Sequence, residues 1–342
     1  MKTLIRNGGR FNARNYGNGK VTLTIPNPPD RDGRLARMCP RNHCSPGYFK
    51  IRPGATNPPY RNELYCPYCR HKSSSDGFQT TEQQRYANEI LLQEAQVGFD
   101  RNVKEILGLG TTSKRTIGNR SFSISVEFTP SRLAPVRQPV EEILKRDVVC
   151  PHCAQDQTVF GLAIWCAGCG EDIFLTHVEK EIAALRTMLL DIPRRRKELG
   201  PRVAAKDLEN ALEDAVSVFE AAVKALVRRA MGERGQTPEA IEDQMHKLGN
   251  AFQNIAKTIK HLLDSFGFTP GIPDSWRRLD IAFKKRHPIT HNLGVIDRKY
   301  LLQSGLHGRV GRELRIQAKE VETALQDVLA VVSDIHSLVR SE

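Results

Sequence analysis

A mainly helical α+β fold is the prediction, with small cysteine-built modules on the amino-terminal side and an antiparallel helical bundle after them. Three observations carry it. All eight cysteines of the 342-residue chain lie before residue 170, in four close pairs. The first 65 residues are rich in Gly, Pro and Asn, and the second half carries long apolar stripes at intervals of three and four. Loop-rich sequence stapled by paired cysteines makes ribbon-like modules, and such stripes make amphipathic helices that bury one face. The length suits two or three domains.

The pairs are Cys39 with Cys44, Cys66 with Cys69, Cys150 with Cys153, and Cys166 with Cys169, and none is left over. Residues 1–14 are polar and basic, without the apolar run of a secretory signal, and no stretch of about 18 apolar residues suits a spanning helix. A cytoplasmic protein with no membrane contact is expected. In a reducing compartment paired cysteines bind metal rather than each other. The pairs group locally, with 21 and 12 residues inside the two groups against 80 between them. Two sites follow, Cys39/Cys44/Cys66/Cys69 and Cys150/Cys153/Cys166/Cys169, each expected to hold one zinc ion in a tetrahedral thiolate shell. A Cys-x-x-Cys turn lets two sulfurs reach one ion, and the glycines of Cys166-Ala167-Gly168-Cys169-Gly170 permit the positive φ that such a turn needs. The second set has zinc-ribbon spacing. The first opens on the irregular Cys39-x4-Cys44, where His43 or His71 could replace a thiolate. Full sulfur shells leave no open position, so both ions are expected to be structural.

The chain carries 51 Lys and Arg against 39 Asp and Glu, a formal +12, and residues 1–76 alone hold 14 basic and 4 acidic side chains. Eight thiolates and two zinc ions would leave about +8. Tyr16, Tyr48, Phe49, Tyr60, Tyr65 and Tyr68 interleave the basic segment. Two readings stay open. Either the segment contacts phosphates and stacks on bases, or it is a solvated face that docks an acidic protein while the aromatics form the small core of a ribbon. A trigger sensed there would be a nucleic acid or a protein.

In chain order, residues 1–76 form the first basic ribbon-like module, with 21–25 as its clear strand. Residues 77–177 hold a helix over 80–107, opened by Thr81-Glu82 and stopped at Gly108, then a strand over 121–128 with Phe122, Ile124 and Val126 on one face. A Pro-containing connection over 130–139 leads to the second cysteine set. Residues 178–203 read as a linker helix over 178–190, ended by Pro193, with Arg194-Arg195-Arg196-Lys197 as an exposed hinge. Residues 204–342 hold the bundle. One stripe runs from Leu208 to Leu226, a second from Ile241 through Phe252 to Leu262, and a third from Leu314 to Val339; with a helix near 276–285 they make four or five helices.

Between the second and third stripes, polar and ionisable groups crowd one helix end: Arg286, His287, Pro288, His291, Asn292 and Asp297. Arg286 and His291 are five apart, about 140° around an ideal helix. Pro288 removes a backbone donor and tends to kink the preceding turn, which would bring the guanidinium and the imidazole toward one cleft. Arginine stays charged and suits a phosphate oxyanion, while histidine titrates near neutrality and suits proton transfer. No glycine-rich phosphate loop and no Ser/His/Asp set accompanies them.

Arg286-x4-His291, late in a helical bundle and followed by Asn292-Leu293-Gly294-Val295-Ile296-Asp297-Arg298-Lys299-Tyr300-Leu301, resembles the Arg-x4-6-His motif of HEPN ribonucleases, many of them bacterial defence or toxin proteins. The resemblance covers residues 204–342. It implies metal-independent cleavage of RNA as substrate, with the ribose 2′-hydroxyl attacking the adjacent phosphate, and a homodimer through the carboxy-terminal bundle in which two motifs share one cleft. By position, Arg286 would stabilise the phosphorane and His291 would act as general base or acid. His287 stands where the family favours a polar residue, often Asn, so which histidine moves the proton stays open. Asn292 either orients the site or caps the helix. The alternative is a non-catalytic zinc-ribbon nucleic-acid-binding or scaffold protein.

Overall fold

The computed structural model describes residues 4–16, 20–54, 62–119, 121–305 and 308–341. Tyr60 lies outside them. In chain order, β1 (Arg14–Asn15), β2 (Val21–Thr22), β3 (Leu35–Met38), β4 (Tyr48–Ile51), β5 (Glu63–Tyr65) and β6 (Lys72–Ser74) precede the first long helix, α1 (Thr81–Ile106). Then come β7 (Lys114–Gly118), β8 (Ser123–Glu127), β9 (Arg146–Val149) and β10 (Asp156–Val159). Of the strand expected over 21–25, Val21–Thr22 pair with β1, and Thr24 N–H donates on to Phe11 O at 2.8 Å before Pro26.

The two cysteine modules share one sheet of order β3-β4-β10-β9, antiparallel throughout, with Gln157 opposite Ile51 and Leu35 opposite Ile51 on the other side. Residues 1–76 and 77–177 therefore meet in a single hydrogen-bonded layer. β4 is central and buried along its length. Its Lys50 survives burial by pairing with Asp30 at 2.9 Å and Glu141 at 3.3 Å. Phe49, Ile51, Val148 and Val159 line the sheet, with Phe78 packed edge-on to Phe49.

α1 starts where the sequence places it. Thr80 accepts from the Gln83 N–H and Gln83 returns the bond to the Thr80 N–H, a reciprocal cap. The Gln83 amide also donates to Ala36 O of β3, tying the helix to the sheet. Gly98 is required by contact, since a Cβ there would lie 1.7 Å from Leu4 O. The strand expected over 121–128 is β8; its partner β7 was not foreseen, and Phe122 and Ile124 face solvent.

The expected linker and hinge at 178–203 are corrected. α2 (Phe174–Leu199) runs through Pro193 and buries Val178, Ile182, Leu185, Leu189 and Ile192 in the bundle core. A proline costs a helix one bond and some strain, and here the buried stripe stays in phase up to the residue before it. The four cations are helical: Arg194 pairs with Asp191 at 2.7 Å, and Arg195 with Asp207 at 2.6 Å. The chain turns instead at Gly200 (φ 95), after which Pro201 opens α3 (Pro201–Glu233). α2 and α3 pack side by side with one residue between them, so they run antiparallel.

The second stripe is also broken. It forms α4 (Pro238–Leu248), a 3-10 turn at Ala251–Gln253, and α5 (Ile255–Phe266), interrupted at Gly249 (φ 48) and restarted by the Asn254 side chain, which accepts from Lys257 N–H at 2.9 Å. α6 (Pro273–His291), α7 (Arg298–Ser304) and α8 (Ala318–Ser341) complete the chain. Phe219 of α3 sits at the centre, edge-on to Phe283 at 5.2 Å and Trp276 at 6.2 Å, both on α6, while Val321, Leu325, Val328 and Val332 of α8 are fully buried. Among the described residues no helix is long and apolar enough to cross a membrane.

His177, on α2, is wholly buried and its Nδ1 accepts from the Ala163 N–H at 2.8 Å. Burial, with a smaller contribution from the Arg146 charge, holds its pKa down to about 4. The unfolded chain, near 6.5, then binds the extra proton between those values. Stability is expected to fall as pH drops from about 6.5 to about 4 and to level off below, by up to roughly 3 kcal/mol at about 1.4 kcal/mol per unit. Denaturant titrations at pH 7, 6 and 5 measure it. His177→Asn, which keeps an acceptor and cannot titrate, should flatten the difference; an unchanged slope would remove His177 as its source.

Candidate metal centres and the polar cleft

The eight cysteines converge as two sets of four, Cys39/Cys44/Cys66/Cys69 and Cys150/Cys153/Cys166/Cys169, and within each set all sulfurs lie within 4.8 Å of one another. A tetrahedral metal ion about 2.3 Å from each thiolate sulfur sets the sulfurs roughly 3.8 Å apart. The closest contacts fit: 3.7 Å for Cys39–Cys69, 3.5 Å for Cys44–Cys66, 3.7 Å for Cys150–Cys169 and 3.5 Å for Cys153–Cys166. Each set could hold a metal ion. Sulfur alone leaves the charge in conflict, since hydrogen bonding with Cys166 draws the Cys150 thiol down to about 5 while the same contact pushes Cys166 above the usual thiol range. A divalent cation resolves this by accepting all four as thiolates. Neither His43 nor His71 is needed; the His71 ring packs on Phe78.

Three knuckles share one backbone pattern. The N–H of Cys66, Cys150 and Cys166 donates to the carbonyl five residues on, and the residue after the second cysteine donates back to the first. That residue is left-handed in each: Arg70 (φ 58), Ala154 (φ 60) and Gly170 (φ 72). Only at Gly170 does packing require glycine, because a Cβ would press on the Tyr65 ring at 2.8 Å. The fourth turn, the irregular one, closes through Cys39 N–H to Gly47 O at 2.9 Å.

The second centre is fastened to both neighbours. Trp165 lies between the guanidinium groups of Arg70 at 4.4 Å and Arg229 at 4.5 Å from its ring centroid. Asp172 accepts from Arg229 of α3 at 2.6 Å and lies 3.0 Å from His336 Nε2 of α8. Hydrogen bonds from His336, Phe174 N–H and Arg229 outweigh its desolvation and hold the Asp172 carboxyl well below the usual range. This junction had no counterpart in the spacing of the cysteines.

The basic amino-terminal segment is largely engaged internally. Arg34 and Arg52 both bind Asp156 at 2.9 Å, Lys72 binds Glu63 at 2.9 Å, and Lys50 is buried. Tyr48 and Phe49 are core residues, Tyr68 donates its hydroxyl to Tyr48 O, and Tyr65 packs beside Gly170. Of the aromatic set, Tyr16 faces solvent.

The residues at the end of α6 behave differently. Arg286, His287 and His291 line one open cleft of about 210 Å³ between α6 and the 3-10 turn that leads into α5. α6 continues through Pro288, and Arg286 and His291, about 140° apart on an ideal helix, both line the cleft. Arg286 is held by donating to Gln253 Oε1; Gln253 in turn donates to Glu220 of α3 at 2.7 Å. The His287 and His291 rings stand 5.1 Å apart. Asp280 also lines the cleft and binds Lys284 at 2.6 Å, while Thr290 donates to Glu213 at 2.9 Å.

Asn292 ends α6, its N–H donating to Pro288 O at 3.0 Å, and its side chain donates to Asp297 Oδ2 at 2.7 Å. Leu293 (φ 52) and Gly294 (φ 82) reverse the chain so that Asp297 faces His287 Nε2 at 3.8 Å. Asp297 also caps α7, accepting from Tyr300 N–H at 2.6 Å; that bond, with Asn292 and the nearby positive charges, holds its carboxyl below the usual range. Gln253, which the spacing did not flag, and Asp297, already in the tail of the motif, are the partners that the fold brings to Arg286 and His287. Comparison with family models, with curated proteins and with solved structures finds no match for this chain.

Proposed function

We propose that the chain is an RNA endonuclease of the HEPN type, acting through the cleft at the end of α6, with the cysteine sets as structural zinc centres. The observation that carries this reading is the convergence of Arg286, His287 and His291 on one open cleft with Asp297 behind His287. One imidazole takes the proton of the ribose 2′-hydroxyl as that oxygen attacks the adjacent phosphorus. The guanidinium of Arg286 neutralises the phosphorane. The other imidazole gives its proton to the departing 5′-oxygen as the P–O5′ bond breaks, leaving a 2′,3′-cyclic phosphate and a 5′-hydroxyl. The two rings, 5.1 Å apart, provide a base and an acid, and either assignment satisfies the proton balance.

Among the described residues the groups suited to hold a metal are the two thiolate sets, whose shells are complete without substrate. The phosphate chemistry is therefore assigned to the cleft, and zinc, the usual occupant of tetrahedral four-thiolate sites, to the fold. Pairing of two copies at the cleft rim is supported by the exposed Leu293, two residues past His291 at the end of α6. A role in anti-phage defence or as a toxin follows from the resemblance alone.

The test is incubation of the protein with total RNA in a chelator too mild to strip thiolate-bound zinc. Cleavage is expected to continue and to leave cyclic phosphate ends, and substrates with 2′-deoxyribose at the scissile position should resist. Light scattering on the same sample should give twice the chain mass of 38.5 kDa. Cleavage of the deoxy substrate at an equal rate would rule out the 2′-hydroxyl mechanism. An inert protein would become a zinc-ribbon nucleic-acid-binding scaffold, and a single-chain mass would remove the shared cleft.

A further inference from the structure

Six cations follow the cleft in the chain: Arg298, Lys299, Arg309, Arg312, Arg315 and Lys319. All six are exposed, and among the described residues none forms an ion pair. Composition leaves open a nucleic-acid contact on residues 1–76, where Arg34, Lys50, Arg52 and Lys72 are occupied by carboxylates.

The backbone fixes these cations beside the cleft. Gly294 N–H donates to Pro288 O at 2.8 Å, which anchors the chain to the end of α6. Residues 294–296 then pair with 311–314: Leu314 N–H to Gly294 O at 2.7 Å, Ile296 N–H to Arg312 O at 2.9 Å, and Gly311 N–H to Ile296 O at 2.9 Å. Arg312 thus stands opposite Ile296, one residue from the Asp297 that faces His287, and Arg309 is held to it by a turn at 3.2 Å. At the far end Glu320, the residue after Lys319, binds Lys285 of α6.

We infer that Arg298, Lys299, Arg309, Arg312, Arg315 and Lys319 form the track for the sugar-phosphate backbone of single-stranded RNA, leading the scissile phosphate to Arg286. This deepens the ribonuclease reading and rests on it for the identity of the polyanion. Unpaired, exposed arginines adjoining a cleft lined by a guanidinium and two imidazoles suit successive phosphates, which position a strand without reading its sequence. Such contacts release counterions, so affinity falls with salt by about 0.7 in log–log slope for each phosphate on a single strand.

The experiment uses full-length protein carrying His291→Ala, so that the probe is not consumed, and a fluorescein-labelled single-stranded RNA of mixed sequence, read by anisotropy from 0.05 to 0.5 M salt. Replacing Arg309, Arg312 and Arg315 together by Ala should lower the slope by about 2 and weaken binding about 100-fold at 0.1 M salt, with unchanged thermal stability because the side chains are exposed. Replacing Arg10, Arg31 and Arg41 of the first module should leave the slope as it was. Loss that follows the amino-terminal set instead, an unchanged slope in the triple variant, or equal competition by polyglutamate per charge would each overturn the track. Binding with this slope in a protein that never cleaves RNA would leave the track standing and remove the nuclease; cleavage untouched by the triple variant would do the reverse.

Discussion

Stripping both thiolate sites with a strong chelator is expected to unfold the β3-β4-β10-β9 sheet and release two zinc ions per chain, while most of the α2 to α8 bundle keeps its helix. The four sulfurs of each set come from two separate turns, 21 and 12 residues apart, and the sheet beside them is short and partly polar, so little else holds the turns together. Structural zinc in small modules contributes on the order of 10 kcal/mol or more at neutral pH, which is as large as the whole stability of a typical domain, about 5–15 kcal/mol. Metal release followed with a chromogenic chelator, beside circular dichroism and hydrogen exchange, gives both quantities. Cys66→Ser should release one ion and loosen the first module. Cys166→Ser should release the other and also lower the melting temperature of the bundle, because its knuckle carries Trp165 and Asp172 to Arg229 and His336. Folded, reduced protein with no bound metal would refute the metal centres. A single ion per chain would single out the irregular Cys39/Cys44 turn.

What could be read from sequence was local chemistry. A Cys-x-x-Cys knuckle is a six-residue object, and the three here share one hydrogen-bond scheme whatever follows them. The start of α1 was legible for the same reason, since Thr80 and Gln83 cap it within one turn. The merger of the two modules was not legible, because the register that sets Gln157 against Ile51 links distant residues and leaves no periodic trace. Pro193 misled because a proline and four cations are the usual marks of a boundary, whereas the decision lay with Leu189 and Ile192, already buried against the bundle, and with Asp191 and Asp207 waiting for the arginines. The pairing of charges was equally out of reach. Composition counts the basic residues of the first module but not the carboxylates of Asp156 and Glu141 that the fold brings to them.

The cleft divides the same way. Arg286, His287 and His291 share one helix end and could be found by spacing; Gln253 and Asp297 reach them only through a break in the second stripe and a left-handed turn at Leu293 and Gly294. Those two partners explain how Arg286 and His287, both half-buried, keep a fixed relation. Gln253 pins the guanidinium from α3 through Glu220, and Asn292 pins the carboxylate that faces His287.

Arg286→Ala and His291→Ala are each expected to abolish RNA cleavage while the bundle stays folded and both zinc ions remain. The chemistry divides the work between them: a positioned proton donor or acceptor contributes roughly 10²–10⁴-fold, and a cation on the developing phosphorane a comparable amount. Neither side chain belongs to the apolar core, Arg286 bonding to Gln253 and His291 lying exposed, so stability should move by less than about 1 kcal/mol. His287→Ala separates the two proton roles. A loss equal to that of His291→Ala makes the pair base and acid; a loss under about tenfold leaves His287 shaping the cleft. Asp297→Asn tests the carboxylate in isolation, because asparagine caps a helix as well as aspartate does and the 2.6 Å bond to Tyr300 N–H should persist. If Asp297 serves His287, the variant should lose activity by about tenfold and its pH–rate profile should shift; if it only caps α7, both should be unchanged. Wild-type rates in both Arg286→Ala and His291→Ala would end the ribonuclease reading, and the cleft would then be a binding surface on a zinc-stapled scaffold.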